Sequence, residues 1–170
     1  MYSELILQSL SPDGNAGLET FDPRLAEISA RVLDGDFSAG CQAIGDLFTN
    51  GENDIRLVGY LLFGDFIEHG LPALTTMLDA FNSALEAQWD SFGPQKKKEK
   101  HARDAISWFL SNLLKQMDRA KGSSDARWMA WIEESTLESA ASTKDGAIKL
   151  WENIETRLPE FVENLRDTTS

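Results

Sequence analysis

One cysteine and two histidines are all that 170 residues hold of the soft metal ligands and the commonest acid–base side chain. Cys41 alone forms neither an internal disulfide nor a cysteine-based metal cluster, which makes a reducing compartment the natural setting. His69 and His101 stand far apart, and neither falls in an H-E-x-x-H spacing. β-Branched residues are also scarce. Only seven positions before Lys100 are Val or Ile, and none forms the alternating run a strand needs. No apolar stretch approaches the ~18 residues of a membrane span. Met1-Tyr2-Ser3-Glu4 is not the basic start of a secretory leader, so no classical secretory signal is expected. Glycine-rich phosphate loops of the G-x-x-x-x-G-K-[ST] or G-x-G-x-x-G type are missing.

Bases are scarce where acids are dense. Residues 1–95 carry 15 acids and 3 bases, whereas residues 96–170 carry 13 of each, so the whole net charge of −12 belongs to the first part. Such a surface repels nucleic-acid phosphates and anionic lipid, and it keeps a chain in solution. With 42% hydrophobic and 26% charged residues, the chain has the composition of a globular domain with its own core.

What is abundant is Leu, Ala, Glu and Lys, and the chain reads as one helix after another. Residues 3–10 form a short apolar helix broken by Pro12-Asp13-Gly14-Asn15. Asp22 stands as an N-cap with Pro23 at the first helical position, and Leu25, Ile28 and Val32 share a face before Gly35. A second helix spans about 38–48, closed by Asn50-Gly51. Residues 53–69 are apolar around most of the circumference, the mark of a central buried helix. Gly59 and Gly64 there point to close backbone packing. Residues 72–92 carry the stripe Leu74, Met77/Leu78, Phe81, Leu85, Trp89 and Phe92, stopped by Gly93-Pro94. A basic connector, 96–100, leads to a helix over about 99–117 with Ile106, Phe109/Leu110, Leu113/Leu114 and Met117 inward. After a linker at 121–124, two more helices carry Trp128, Trp131 and Ile132, then Ile148, Trp151, Ile154, Leu158, Phe161/Val162 and Leu165, with a bend at Pro159. The expectation is an all-α fold, an irregular antiparallel bundle of about seven or eight helices. It divides into residues 1–20 (helix and linker), 21–120 (core) and 121–170 (a C-terminal hairpin docked on the core or forming an interface). Trp128, Trp131 and Trp151 are candidate interface residues, because tryptophan concentrates in cores and at interface hot spots.

Catalytic constellations fail on residue supply. His69 with Glu68 or Asp65 is the one acid–base grouping, and its ordinary reading is a cation at a helix C-terminus. Cys41 lies on an apolar face, as a buried inert thiol does. Asp34-Gly35-Asp36 lacks the further ligands of a calcium loop. The reading is of a protein without catalytic residues, cofactor or metal.

Residues 21–114 as a whole resemble the ImpA N-terminal domain family of bacterial type VI secretion, found in the TssA proteins. The pieces, in order, are Phe21-Asp22-Pro23-Arg24, then Asn53-Asp54-Ile55-Arg56-Leu57-Val58, the Gly70-Leu71 step, Leu85-Glu86-Ala87-Gln88-Trp89-Asp90 with Phe92-Gly93-Pro94, and Trp108-Phe109-Leu110. Asn53 replaces the family's lysine, and Gly59 stands where alanine is more usual. The family's longer members add a ring-building C-terminal region, so this chain is expected to be either one domain of such a protein or a shortened relative. The resemblance implies a non-enzymatic cytoplasmic assembly module that contacts baseplate, sheath, tube or membrane-complex proteins. It involves no nucleic acid and no direct membrane insertion, and a homo-oligomer is compatible with it. The alternative is a stand-alone acidic adaptor or chaperone for a protein client. Within the motif, Asp54 is expected to cap a helix start, and Arg56, unfavourable to that helix dipole, to pair with Asp90.

Overall fold

Local chemistry sets the first turns of the chain. The Asp22 carboxylate accepts a hydrogen bond from the Arg24 amide, and Pro23 follows at N1, which starts helix α1, Pro23–Leu33. Gly35, at φ 84°, reverses the chain, and Asp36 caps helix α2, Phe37–Thr49, through the Ala39 amide. The computed structural model describes Tyr2, Glu4, Ile6, residues 17–123, Ala126, Met129, Ala130, Glu133 and residues 137–155.

A one-turn 3-10 segment, Ile55–Leu57, leads into α3, Val58–His69, which ends at Gly70 with φ 74°. A second such segment, Leu71–Ala73, opens α4, Leu74–Gln88, and a third, Trp89–Ser91, closes it. Helix α5 is Lys98–Gly122 and α6 is Leu137–Glu155. The fold is all-α, with no strand among the described residues. Six α-helices have described bounds, fewer than the seven or eight expected. Most of residues 3–10 and the stretch beyond 155, including Pro159, lie outside the described residues.

Helix α3 is the hub, touching α2, α4 and α5. Leu61, Leu62 and Phe66 are fully buried, as expected for the central helix. Each such side chain contributes about 1.5–3 kcal/mol by leaving water. Its two glycines let neighbours approach. A methyl at Gly59 would run into the Ala105 carbonyl of α5, and one at Gly64 into the Cys41 sulfur of α2.

Of the expected stripe, Leu74, Met77, Leu78, Phe81, Leu85 and Phe92 are buried and Trp89 is half-buried, but α4 itself ends at Gln88 and Phe92 follows the closing 3-10 turn. Against α4 lies α6, on a face other than the expected one. Thr143, Gly146, Leu150 and Asn153 meet α4: Thr75 and Thr143 share a hydroxyl hydrogen bond, the Asn82 amide donates to the Gly146 carbonyl, and Asn153 donates to the Asn82 oxygen. Leu150 is fully buried while Ile148 is 46% exposed. The small Gly146, with Leu78 against it, lets this polar-edged face approach more closely than the bulkier Ile148 face. On α5, Leu113 takes the inward position and Leu114 is exposed, against the expectation that both face in.

Candidate functional site

Most of the motif residues meet at one end of the bundle. Asp54 is fully buried, and its carboxylate receives four N–H groups: the Leu18 amide at 2.8 Å, the Arg56 amide at 2.9 Å, Arg56 Nε at 2.9 Å and Nη2 at 2.6 Å. Asp54 thus caps the 3-10 segment and holds the guanidinium as a fork. Arg56 Nη2 also donates to the Leu18 carbonyl at 2.7 Å, so the pair grips the Leu18 residue by both its N–H and its C=O. The expected Arg56–Asp90 pairing is incorrect. Asp90 is exposed at the foot of α4, and the carboxylate two residues before Arg56 satisfies it instead. A residue two positions away needs no loop closure to be in reach.

The same knot ties in the other stretches. Ile55 N–H donates to the Gly93 carbonyl at 2.8 Å, and Gly93 N–H returns to the Asn53 carbonyl at 2.9 Å. Gly93-Pro94 is a cis peptide, and Gly17 packs its bare backbone against it. The buried Asn53 amide donates to the Ser91 carbonyl at 3.3 Å. Arg24 bridges Asp22 to Glu52, each Arg24–Glu52 contact measuring 2.8 Å. The Arg24 hydrogen bonds hold the Asp22 carboxyl below its ordinary range, with a smaller contribution from the charge of Arg56. Burial lowers the pKa of His101, and the neighbouring Arg56 charge adds to the effect. Four N–H donors thus meet the roughly four lone-pair positions of the Asp54 carboxylate.

Trp89 is half-buried, and Lys98 sits 5.1 Å from its ring centre while donating to its backbone carbonyl at 3.0 Å. Lys98 is buried, which the basic run 96–100 conceals by making every lysine look solvated. Burial lowers its pKa, against the opposing charge of Asp90. Gly70 and Leu71 of the motif lie at the opposite end of α3 and do not join the knot. Trp128 and Trp131 lie outside the described residues; Trp151 is half-buried on α6.

Two carboxylates of the acid–base grouping meet Tyr2. Asp65 is fully buried and accepts the Tyr2 backbone N–H at 2.6 Å. Glu68 accepts the Tyr2 hydroxyl at 2.7 Å, and burial together with this bond raises the phenol pKa. His69 Nε2 is 3.8 Å from Glu68 in the exposed last turn of α3. Cys41 is buried, its pKa pushed up to about 12 by burial. Asp34 and Asp36 end α1 and cap α2. Among the described residues, no three metal-ligating side chains gather, and no helix is long and apolar enough to cross a membrane.

A groove of about 320 Å³ opens on another face of the molecule. Its apolar side is Val32, Leu33, Phe37, Phe63, Ile67 and Trp108. The rings are locked edge to face, Phe37–Phe63 at 5.2 Å and Phe63–Trp108 at 5.5 Å, with Tyr60 behind Trp108 at 4.8 Å. The α5 side adds Asn112, Lys115, Gln116 and Arg119. Phe63 is buried while Phe37, Tyr60 and Trp108 are only partly buried, which the sequence pattern does not reveal. No family model matches the chain, and neither a curated protein nor a solved structure matches it.

Proposed function

We propose that this chain is a non-enzymatic assembly module of a bacterial type VI secretion system, similar to the ImpA N-terminal domain of TssA proteins, acting in the cytoplasm on baseplate, sheath, tube or membrane-complex proteins. One observation carries the reading. Asp22, Asp54, Arg56 and the Gly93-Pro94 step, taken from separate stretches on the strength of the resemblance, are joined through the hydrogen bonds of residues 52–56 at one end of the bundle. A motif whose scattered members converge this way behaves as a fold signature. Two of its carboxylates, Asp22 and Asp54, are taken up by backbone and arginine donors, which supports an architectural role. A module of this kind works through its surfaces.

The test is direct binding of the purified chain to each of the four classes of machine protein, at low salt and at about 1 M salt, where charges are screened within about 3 Å. Binding to at least one class that survives high salt is expected. Failure to bind any of them overturns the proposal. A second reading rests on the concentration of the −12 charge in residues 1–95: an acidic adaptor or chaperone for a basic client. Its binding would collapse at high salt.

A further inference from the structure

We propose that the groove between α1, α2, α3 and α5 is a docking site for an acidic amphipathic helix of a partner protein. The inference deepens the assembly reading and rests on it for the occupant being a protein.

The groove has two unlike sides. One is apolar and aromatic, and Leu33 stands at its lip 79% exposed. Leucine so exposed beside an aromatic floor is suited to covering by another apolar surface. The other side is a single α5 wall. Asn112, Lys115, Gln116 and Arg119 recur at helical spacing along it, with two cations and no acid among the lining residues. Among the described residues, neither cation has a carboxylate partner. Of the five described arginines, Arg24, Arg31, Arg56 and Arg103 are each ion-paired to a carboxylate, and Arg119 has no such pair among the described residues. Lys115 likewise has no carboxylate within ion-pair distance among the described residues.

Charge complementarity then fixes the occupant. In a chain of net −12, Lys115 and Arg119, one turn apart along an aromatic groove and without a carboxylate partner among the described residues, select carboxylates there. The aspartates bracketing Gly35 belong to the opposite, α1–α2 side, so the acids of the occupant face α5 and its apolar stripe faces Leu33, Phe37 and Phe63. A helix fits this division, because it presents an apolar stripe and a charged flank side by side. With no strand among the described residues, there is no sheet edge for an extended peptide to join.

The test uses two labelled helical peptides with the same Leu/Trp stripe, one with glutamate and one with lysine on the flank, titrated into the full chain. Net charge alone favours the lysine peptide; the groove favours the glutamate peptide. The expected result is tighter glutamate-peptide binding, by about tenfold, and loss of that preference in K115Q/R119Q. Leu33→Asp, at an exposed position, removes binding of both while the unfolding midpoint stays near wild type. Preference for the lysine peptide, absence of binding, or indifference to Leu33→Asp overturns the proposal. So does a wild-type dimer that Leu33→Asp converts to monomer, which would give the groove to a second copy. Applying the same variants to the secretion-protein assay separates the two ideas. Machine proteins that bind wild type and Leu33→Asp equally sink the groove and leave the assembly reading. Peptides that bind while no machine protein does sink the assembly reading and leave the groove.

Discussion

Arg56 closes back on Asp54, two residues before it, and together they hold both polar groups of Leu18. The Asp54 carboxylate is fully buried and the Arg56 side chain is 18% exposed. An ion pair so enclosed stabilises little against an apolar replacement but costs heavily when half of it is removed, because the other charge stays behind. It also fixes where the segment before α1 crosses the end of the bundle.

Asp54→Asn should therefore destabilise the protein by about 3–5 kcal/mol, read from urea unfolding. Arg56→Lys should recover little, since an ammonium cannot reproduce the two-pronged contact. Asp90→Asn should lower the midpoint far less, through the weaker support its charge gives the buried Lys98. A large loss at Asp90 with none at Asp54 would mean that the pairing is wrong.

The glycines of α3 give a second prediction. Gly59→Ala places a methyl on the Ala105 carbonyl, a backbone atom that cannot turn aside, and should cost about 1–3 kcal/mol despite the better helix propensity of alanine. Gly64→Ala collides with the Cys41 sulfur, which a substitution can remove. Cys41→Ala should relieve much of the Gly64→Ala loss, giving a coupling of about 0.5–3 kcal/mol in a double-mutant cycle. Additive losses would show that the two helices already have room.

These packing relations were partly legible beforehand. An apolar circumference with two glycines can only be a central helix with close neighbours, and the caps at Asp22 and Asp54 follow from residue type. The partner of Arg56 was missed because spacing along a helical hairpin says nothing of a side chain that folds back on its own turn. Lys98 was missed because a run of lysines averages to solvent; only the Trp89 carbonyl and ring give one of them a reason to be buried. The groove was missed because periodicity marks which residues face inward, not whether the helices close over them.

Acid should weaken the fold in a defined window. The pKa of His101 is lowered in the folded chain, mainly by burial, then by Arg56. The unfolded chain therefore binds the extra proton first, so the His101 contribution is present above about pH 6.5 and is lost as pH falls from there through the folded value. The Asp22 contribution has the same sign but is lost only at lower pH, below about 4, where an ordinary aspartate takes up its proton. Unfolding midpoints measured between about pH 7 and 5 should fall for wild type and fall less for His101→Gln. Equal slopes would remove His101 from the account.

The face of α6 gives the last prediction. Leu150 is fully enclosed against α4, between the Asn82–Gly146 and Asn82–Asn153 hydrogen bonds, whereas Ile148 is 46% exposed. Truncating Leu150 to alanine leaves a cavity that α4, held by its own buried stripe, cannot collapse to fill, and should cost about 2–5 kcal/mol. Ile148→Ala removes a side chain already half in water and should cost well under about 1.5 kcal/mol. Asn82→Ala strips the Gly146 carbonyl and the Asn153 amide of a partner together, and should fall between the two at about 1–3 kcal/mol. The order Leu150, Asn82, Ile148 places the Thr143–Asn153 face on α4. The reverse order, with Ile148 the costliest, would mean that α6 is turned about its axis and that the periodic apolar stripe read from the sequence is the buried one.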